Sequence, residues 1–189
     1  LKHWNIEGTI LLSGQGEWDE GAIWAPEVFF DEESNLWKIA YTGCDSRMNQ
    51  RICMAESPDL YNWTKLSTNP ILEPDPEEYV WDPAGWWSDF RDPFIYREND
   101  QWNILITAKK VITSGTGVLY HAVSDDLLNW TDVGYFFAND GDDYWRVLES
   151  PQYKVIDDVH YLFFGEYDTG GLSMVSSRNP GALTMDNRI

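Results

Sequence analysis

The chain has 189 residues, with 13 Lys and Arg against 32 Asp and Glu, for a formal net charge of −19. That charge disfavours a nucleic-acid partner and an anionic membrane surface, since both would repel it. No apolar run approaches the roughly 18 residues of a membrane-spanning helix, and a chain that is 43% hydrophobic and 15% aromatic is too rich in core-forming side chains for a solvated coil.

The length suits one domain. Its 11 Trp, 10 Tyr and 8 Phe favour pleated, half-buried surfaces over helices, and their rings are also flat platforms for sugars. Cys44 and Cys53 fit a hairpin disulfide or two free core thiols. His3, His121 and His160 are scattered without metal-ligand spacing, so neither a metal nor a cofactor is expected.

Taken in chain order, the elements repeat. Residues 1–20 open with Leu1, Lys2, His3 and Trp4, which match the end of a motif met twice later. They are expected to be the tail of a preceding unit and a linker. Residues 21–66 hold an apolar run after Ala25-Pro26-Glu27, an acidic turn at 31–35, further runs at Leu36 to Tyr41 and Arg51 to Ala55, and the motif Ser57 to Trp63. Residues 67–89 lack a period and carry Pro74, Pro76, Pro83 and several acids. They read as a long loop whose Trp81, Trp86 and Trp87 either wall a pocket or cover a sheet.

Residues 90–134 repeat the pattern: Arg91-Asp92-Pro93, a turn at 97–100, runs at Trp102 to Thr107 and Gly117 to Val123, and Ser124 to Trp130. Residues 135–189 repeat it again, with Glu149-Ser150-Pro151, a turn at Asp157-Asp158, and runs from His160 and Leu172. Runs this short, bounded by Gly, Asn, Asp and Pro, are strands. Antiparallel units recurring about every 60 residues predict an all-β fold of four-stranded β-propeller blades, about three of them in this chain. Asn62 and Asn129 stand in glycosylation-type triplets, but both fall inside the turn motif, and turn formation explains them better.

Most of the acids fall in outer turns. Glu27, Asp92 and Glu149 instead open the first run of each repeat, the strand that lines a propeller's channel, so the spacing predicts that they converge at equivalent positions. Clustered carboxylates raise one another's pKa, and paired carboxylates with separated pKa values are what glycosidic bond cleavage needs. A bound cation, or structural pairing with Arg91 and Arg146, are the competing readings.

At these residues the chain resembles a known family. Phe90-Arg91-Asp92-Pro93 resembles the Arg-Asp-Pro motif of glycoside hydrolase family 32, the β-fructofuranosidases. Glu149-Ser150-Pro151 resembles its Glu-Cys-Pro motif, with Ser150 in place of Cys. Trp24-Ala25-Pro26-Glu27 is similar to a motif of the related family 43. The resemblance implies a five-bladed propeller hydrolase with a retaining mechanism and a furanoside substrate. Asp92 would stabilise the transition state, Glu149 would be the general acid/base, and Arg91 would hold the sugar. Glu27, Trp24, Trp81 and Trp87 are the further expected substrate-binding residues.

The family's nucleophile, an Asp on the first strand of the first blade, would precede Leu1, and a fifth blade would follow Ile189. The chain is therefore expected to be a fragment, feebly active by itself. Asp82-Pro83 is a weak substitute for the nucleophile. The alternatives are a non-catalytic carbohydrate-binding propeller or a family 43-like arabinofuranosidase or xylosidase. The expected partner is a carbohydrate, with self-association through open blade faces. A soluble protein, cytoplasmic or secreted, fits the composition.

Overall fold

The computed structural model describes residues 3–82, 84–111, 115–140, 145–167 and 170–188. Leu1 and Lys2 of the expected tail, and Pro83 of the Asp82-Pro83 pair, lie outside them. The strands are β1 (Ala22–Asp31), β2 (Leu36–Cys44), β3 (Gln50–Ser57), β4 (Thr64–Lys65), β5 (Phe90–Glu98), β6 (Gln101–Lys110), β7 (Thr116–Ser124), β8 (Thr131–Ala138), β9 (Leu148–Ile156), β10 (Val159–Glu166) and β11 (Gly171–Ser177). They form antiparallel sheets in the orders β1-β2-β3-β4, β5-β6-β7-β8 and β9-β10-β11, which are blades of a propeller. β8 carries the second sheet to Ala138, past the expected limit at 134. No helix among the described residues is long and apolar enough to cross a membrane.

Local chemistry sets the hairpins. The β5–β6 and β9–β10 connections are two-residue loops, Asn99-Asp100 and Asp157-Asp158, with φ of 52° and 62°, and 51° and 58°. These are the left-handed angles of a turn that matches strand twist, and Asn and Asp tolerate them. In the β1–β2 turn Asp31 is buried rather than solvated. Its carboxylate accepts from Glu33 N and Ser34 Oγ.

Strand alternation divides the core. Ile104 and Ile106 of β6, with Tyr120 of β7, pack toward the first sheet against Ala40, Ile52 and Met54. Leu105 and Leu119, from the same two strands, face the third sheet and meet Leu148, Leu162 and Phe164. The middle blade is thus apolar on both faces, as stacked blades require. A third cluster, Ile39, Tyr41, Cys53 and Ala55, lies on the other face of the first sheet, where Leu11 packs on it.

The segment before β1 contains no strand among its described residues. Asp19 pins it to that sheet, accepting from Tyr41 Oη at 2.9 Å and pairing with Lys65 Nζ at 2.7 Å. Cys44 and Cys53 are free buried thiols, pushed up to about 12 by desolvation.

Candidate active site

Each inner strand is interrupted at its X-Pro pair. Trp24 pairs with Thr42 and Glu27 with Ala40, so Ala25 and Pro26 together face one residue of β2. Arg91 pairs with Thr107 and Phe94 with Leu105. Glu149 pairs with Gly165 and Gln152 with Phe163. These are β-bulges, where proline's missing N–H costs no ladder bond. The residue before each proline takes a positive φ: 36° at Ala25, 58° at Asp92 and 50° at Ser150.

The pairing corrects the expected equivalence of the three acids. Trp24, Arg91 and Glu149 occupy one position; Ala25, Asp92 and Ser150 the next; Glu27, Phe94 and Gln152 a third. The acids therefore do not form a ring at one level.

Asp92 and Glu149 are nevertheless brought together, through Arg91. The buried Arg91 side chain donates from Nη2 to Glu149 Oε1 at 2.6 Å, and from Nη1 to Asp89 Oδ1 at 2.5 Å and Gln50 Oε1 at 3.1 Å. Its Nε stands 3.9 Å from Asp92 Oδ2. That oxygen accepts from Ser150 N at 2.9 Å and Ser150 Oγ at 3.2 Å. On the other side, Asp92 N donates to Thr42 Oγ1 at 2.9 Å. One blade thus fixes the backbone of Asp92 and another its carboxylate. Burial pushes the Asp92 carboxyl above the usual range. Arg91 and the Ser150 donors pull against that rise, while the charge of Glu149 adds to it.

Glu27 stands apart, with no hydrogen bond or ion pair to Asp92 or Glu149 among the described residues. Burial raises its carboxyl and the charge of Lys154 opposes the rise. Trp24 and Trp87 form a tilted pair with centroids 5.7 Å apart. Trp87 is half exposed and opens onto a pocket with Asp89 and Arg91.

Trp81 does not wall that pocket. It is 8% exposed, belongs to the core between the first two sheets, and donates from Nε1 to Gln50 O at 3.0 Å. Its loop is tied down by Val80 N to Lys109 O and Val111 N to Glu78 O, and its apolar side chains cap the core. Asp82 is an exposed loop residue whose Oδ1 accepts from Ala84 N.

Sequence reasoning missed Asp89, Gln50 and Thr42. Asp89 carried a usable signal, standing two residues before Arg91 and so on the same face of an extended chain. Gln50 and Thr42 carried none, because only blade packing brings them here. Among the described residues no three His, Cys, Asp or Glu side chains are grouped to hold a metal ion.

The fold is an all-β propeller of antiparallel blades whose inner strands bring an Asp and a Glu to one arginine. Residues 1–188 match the model of the glycosyl hydrolases family 32 N-terminal domain, and the chain belongs to that family. It is 29% identical over 171 residues to sucrose-6-phosphate hydrolase of Escherichia coli, covering 86% of this chain and 32% of that protein. It is 26% identical over 156 residues to the vacuolar acid beta-fructofuranosidase 1 of a Rosa hybrid cultivar, covering 79% and 25%.

Among solved structures, sucrose-6-phosphate hydrolase from Lactobacillus gasseri superposes with a TM-score of 0.68 at 19% identity, over 90% of this chain and 36% of the other. Fructan 1-exohydrolase IIa from Cichorium intybus gives 0.67 at 21%, over 85% and 31%. The chain spans about a third or less of the curated relatives described.

Proposed function

We propose that this chain supplies the Asp92 and Glu149 half of the catalytic machinery of a hydrolase that cleaves β-fructofuranosides with retention of configuration. The observation that carries the reading is the junction in which Arg91 bridges Glu149 and abuts Asp92, with Ser150 fixing the Asp92 carboxylate. The relatives named as fructofuranosidase and fructan exohydrolase support the substrate class.

In this reading Glu149 delivers its proton to the glycosidic oxygen as the bond breaks. Positive charge then develops on the furanose ring. Ionised Asp92, held by two donors, hydrogen-bonds ring hydroxyls and stabilises that charge. Such preorganised groups need no reorganisation during the reaction. As the leaving sugar departs, the anomeric carbon bonds to a nucleophilic carboxylate from the other half of the machinery; Glu149 then takes a proton from water as the water oxygen attacks that carbon and the nucleophile's carboxylate is released, so configuration is retained. Trp24 and Trp87 offer a ring face to the sugar. The exposed apolar side chains of the outer sheets provide for self-association.

The test is release of reducing sugar from sucrose by the complete protein. Asp92→Asn and Glu149→Gln should each lower kcat by about 10³-fold or more, with circular dichroism unchanged. Asn tolerates the left-handed φ of residue 92, so that variant should fold. Glu149→Gln should keep more activity on a substrate with a good leaving group than on sucrose. Activity within about ten-fold of wild type in either variant overturns the assignment.

A further inference from the structure

Trp87 carries a bulky side chain on a left-handed backbone, with φ of 62°. Such residues seldom take that conformation unless their surroundings impose it. The ring leans on Trp24 and opens onto a pocket of about 190 Å³ lined also by Asp89, Arg91, Lys109 and Arg146. Half of it is left exposed beside the catalytic junction, so burial alone does not fix its placement.

The restraint comes from another hairpin. Residues 45–49 turn the chain from β2 into β3, and Asp45 shapes that turn. Its Oδ1 accepts from Arg47 N at 2.8 Å and Asn49 N at 3.0 Å, and its Oδ2 pairs with Arg51 Nη1 at 3.0 Å. The turn then grips the segment that carries Trp87. Arg47 O accepts from Trp87 N at 3.1 Å. Asn49 Nδ2 donates to Gly85 O at 3.2 Å, and Asn49 Oδ1 accepts from Ser88 Oγ at 3.1 Å. Ser88 Oγ in turn accepts from Asp82 N at 3.1 Å. Both Asn49 and Ser88 are buried. Buried, hydrogen-bonded polar side chains specify one arrangement, because another would strand a polar group away from water.

None of these bonds involves Asp92 or Glu149, and none comes from the Trp87 ring. The network is therefore placed to set where the ring stands without touching what the ring meets. We propose that Asn49 and Ser88 are positioning residues for sugar binding, which act by holding Trp87 where its ring walls the cleft. The inference rests on the reading of Trp87 as a platform for the sugar. Contact between a sugar's C–H groups and an aromatic face falls off steeply with separation. A platform displaced by about an ångström therefore loses affinity although no group that touches the sugar has been removed.

The test is calorimetric titration of the complete protein with sucrose, in a Glu149→Gln background that keeps the sugar intact. Trp87→Ala should weaken binding about ten-fold, and Ser88→Ala, which deletes a single oxygen, about five-fold. The double variant should bind no more weakly than Trp87→Ala, since a positioning residue then has nothing left to position. With Glu149 intact, Ser88→Ala should raise KM by its own factor and leave kcat little changed. Fluorine NMR of protein labelled with 5-fluorotryptophan reads the placement of the ring without sugar. The Trp87 resonance, identified by its loss in Trp87→Ala, should shift in Ser88→Ala and in Asn49→Ala. Far-ultraviolet circular dichroism checks that each variant is folded.

Unchanged sucrose binding in Ser88→Ala overturns the inference. So does a double variant in which the two losses multiply, because Ser88 then acts by another route. If Trp87→Ala leaves binding intact while Asp92→Asn abolishes cleavage, the inference fails and the proposed function stands. If the Trp87 resonance responds to Ser88→Ala but sucrose is neither bound nor cleaved, the two residues are coupled, and their role in sugar binding falls together with the hydrolase reading.

Discussion

Arg91 is the residue on which the site depends. It is 6% exposed and serves Asp89, Gln50 and Glu149 at once. Replacing it with Ala would leave buried Asp92 and the partly buried Asp89 and Glu149 without their cation, so Arg91→Ala should cost about 2–3 kcal/mol of stability in urea unfolding. Ser150 bears instead on the charge of Asp92. Both of its donors favour ionised Asp92, against the burial that raises that carboxyl. Removing the hydroxyl takes away one of them. Ser150→Ala should therefore raise the Asp92 pKa and move the acid limb of the kcat/KM profile to higher pH, with the plateau little changed. A limb that stays in place would mean that the hydroxyl does not act on the charge of Asp92. The same raised carboxyl has a stability consequence of defined sign. The folded state holds that proton more tightly than the unfolded chain, so the contribution is full below the unfolded value and is lost as pH rises through the folded one.

At the scale of the element, the repeated Ser-x-Asp-Leu-x-Asn-Trp stretch is a self-contained turn between the third and fourth strands of a blade. Ser57 Oγ accepts from Asp59 N and Leu60 N, Asp59 Oδ1 from Tyr61 N and Asn62 N, and Trp63 Nε1 donates to Leu60 O. Ser124 to Trp130 repeat every one of these bonds. The Asn62 and Asn129 side chains are consumed by Asp59 and Asp126, which is why those triplets are there. The two Leu share a left-handed φ, 69° and 66°, but differ in burial, 40% exposed for Leu60 and 3% for Leu127. Leu127→Ala should cost about 2–4 kcal/mol and Leu60→Ala under about 1, a contrast that urea midpoints can check. The backbone donors of Asn62 and Asn129 lead in holding the Asp59 and Asp126 carboxyls down to about 2. A depressed native value means that their stabilisation is full above the unfolded value of about 4 and fades as pH falls toward 2. The urea midpoint of wild type should drop through that window, and the drop should be shallower in an Asp59→Ala, Asp126→Ala variant.

At the scale of the molecule, the middle blade is covered on both faces, whereas the segment before β1 covers the outer face of the first sheet only in part and the third sheet keeps apolar side chains exposed. Val28 and Phe30 are exposed on β1, Val155 and Ile156 at the end of β9, and Leu172 on β11. Apolar surface of this kind favours association. Light scattering on the chain should show a mass that rises with concentration, and Val155→Glu with Ile156→Lys should weaken that rise. A mass that stays monomeric at high concentration counts against self-association. How much of this was readable beforehand follows from the range of the forces involved. Strand alternation, two-residue turns and the Ser-Asp-Asn hydrogen bonds act between near neighbours in the chain. The sequence by itself therefore determined the all-β class, the repeated sheets, and Arg91, Asp92 and Glu149 as the residues to examine. The bulges are different, because two residues facing one is a property of the pairing with the adjacent strand. Only that pairing showed that Asp92 corresponds to Ala25 and Ser150 rather than to Glu27 and Glu149. Trp81 was ambiguous for a related reason, since an indole suits a pocket wall or a core and only the packing of its loop between two sheets decides. Likewise Trp87, Lys109 and Arg146 come from separate segments. They meet at one pocket because twisted sheets pack side by side, which no local pattern encodes.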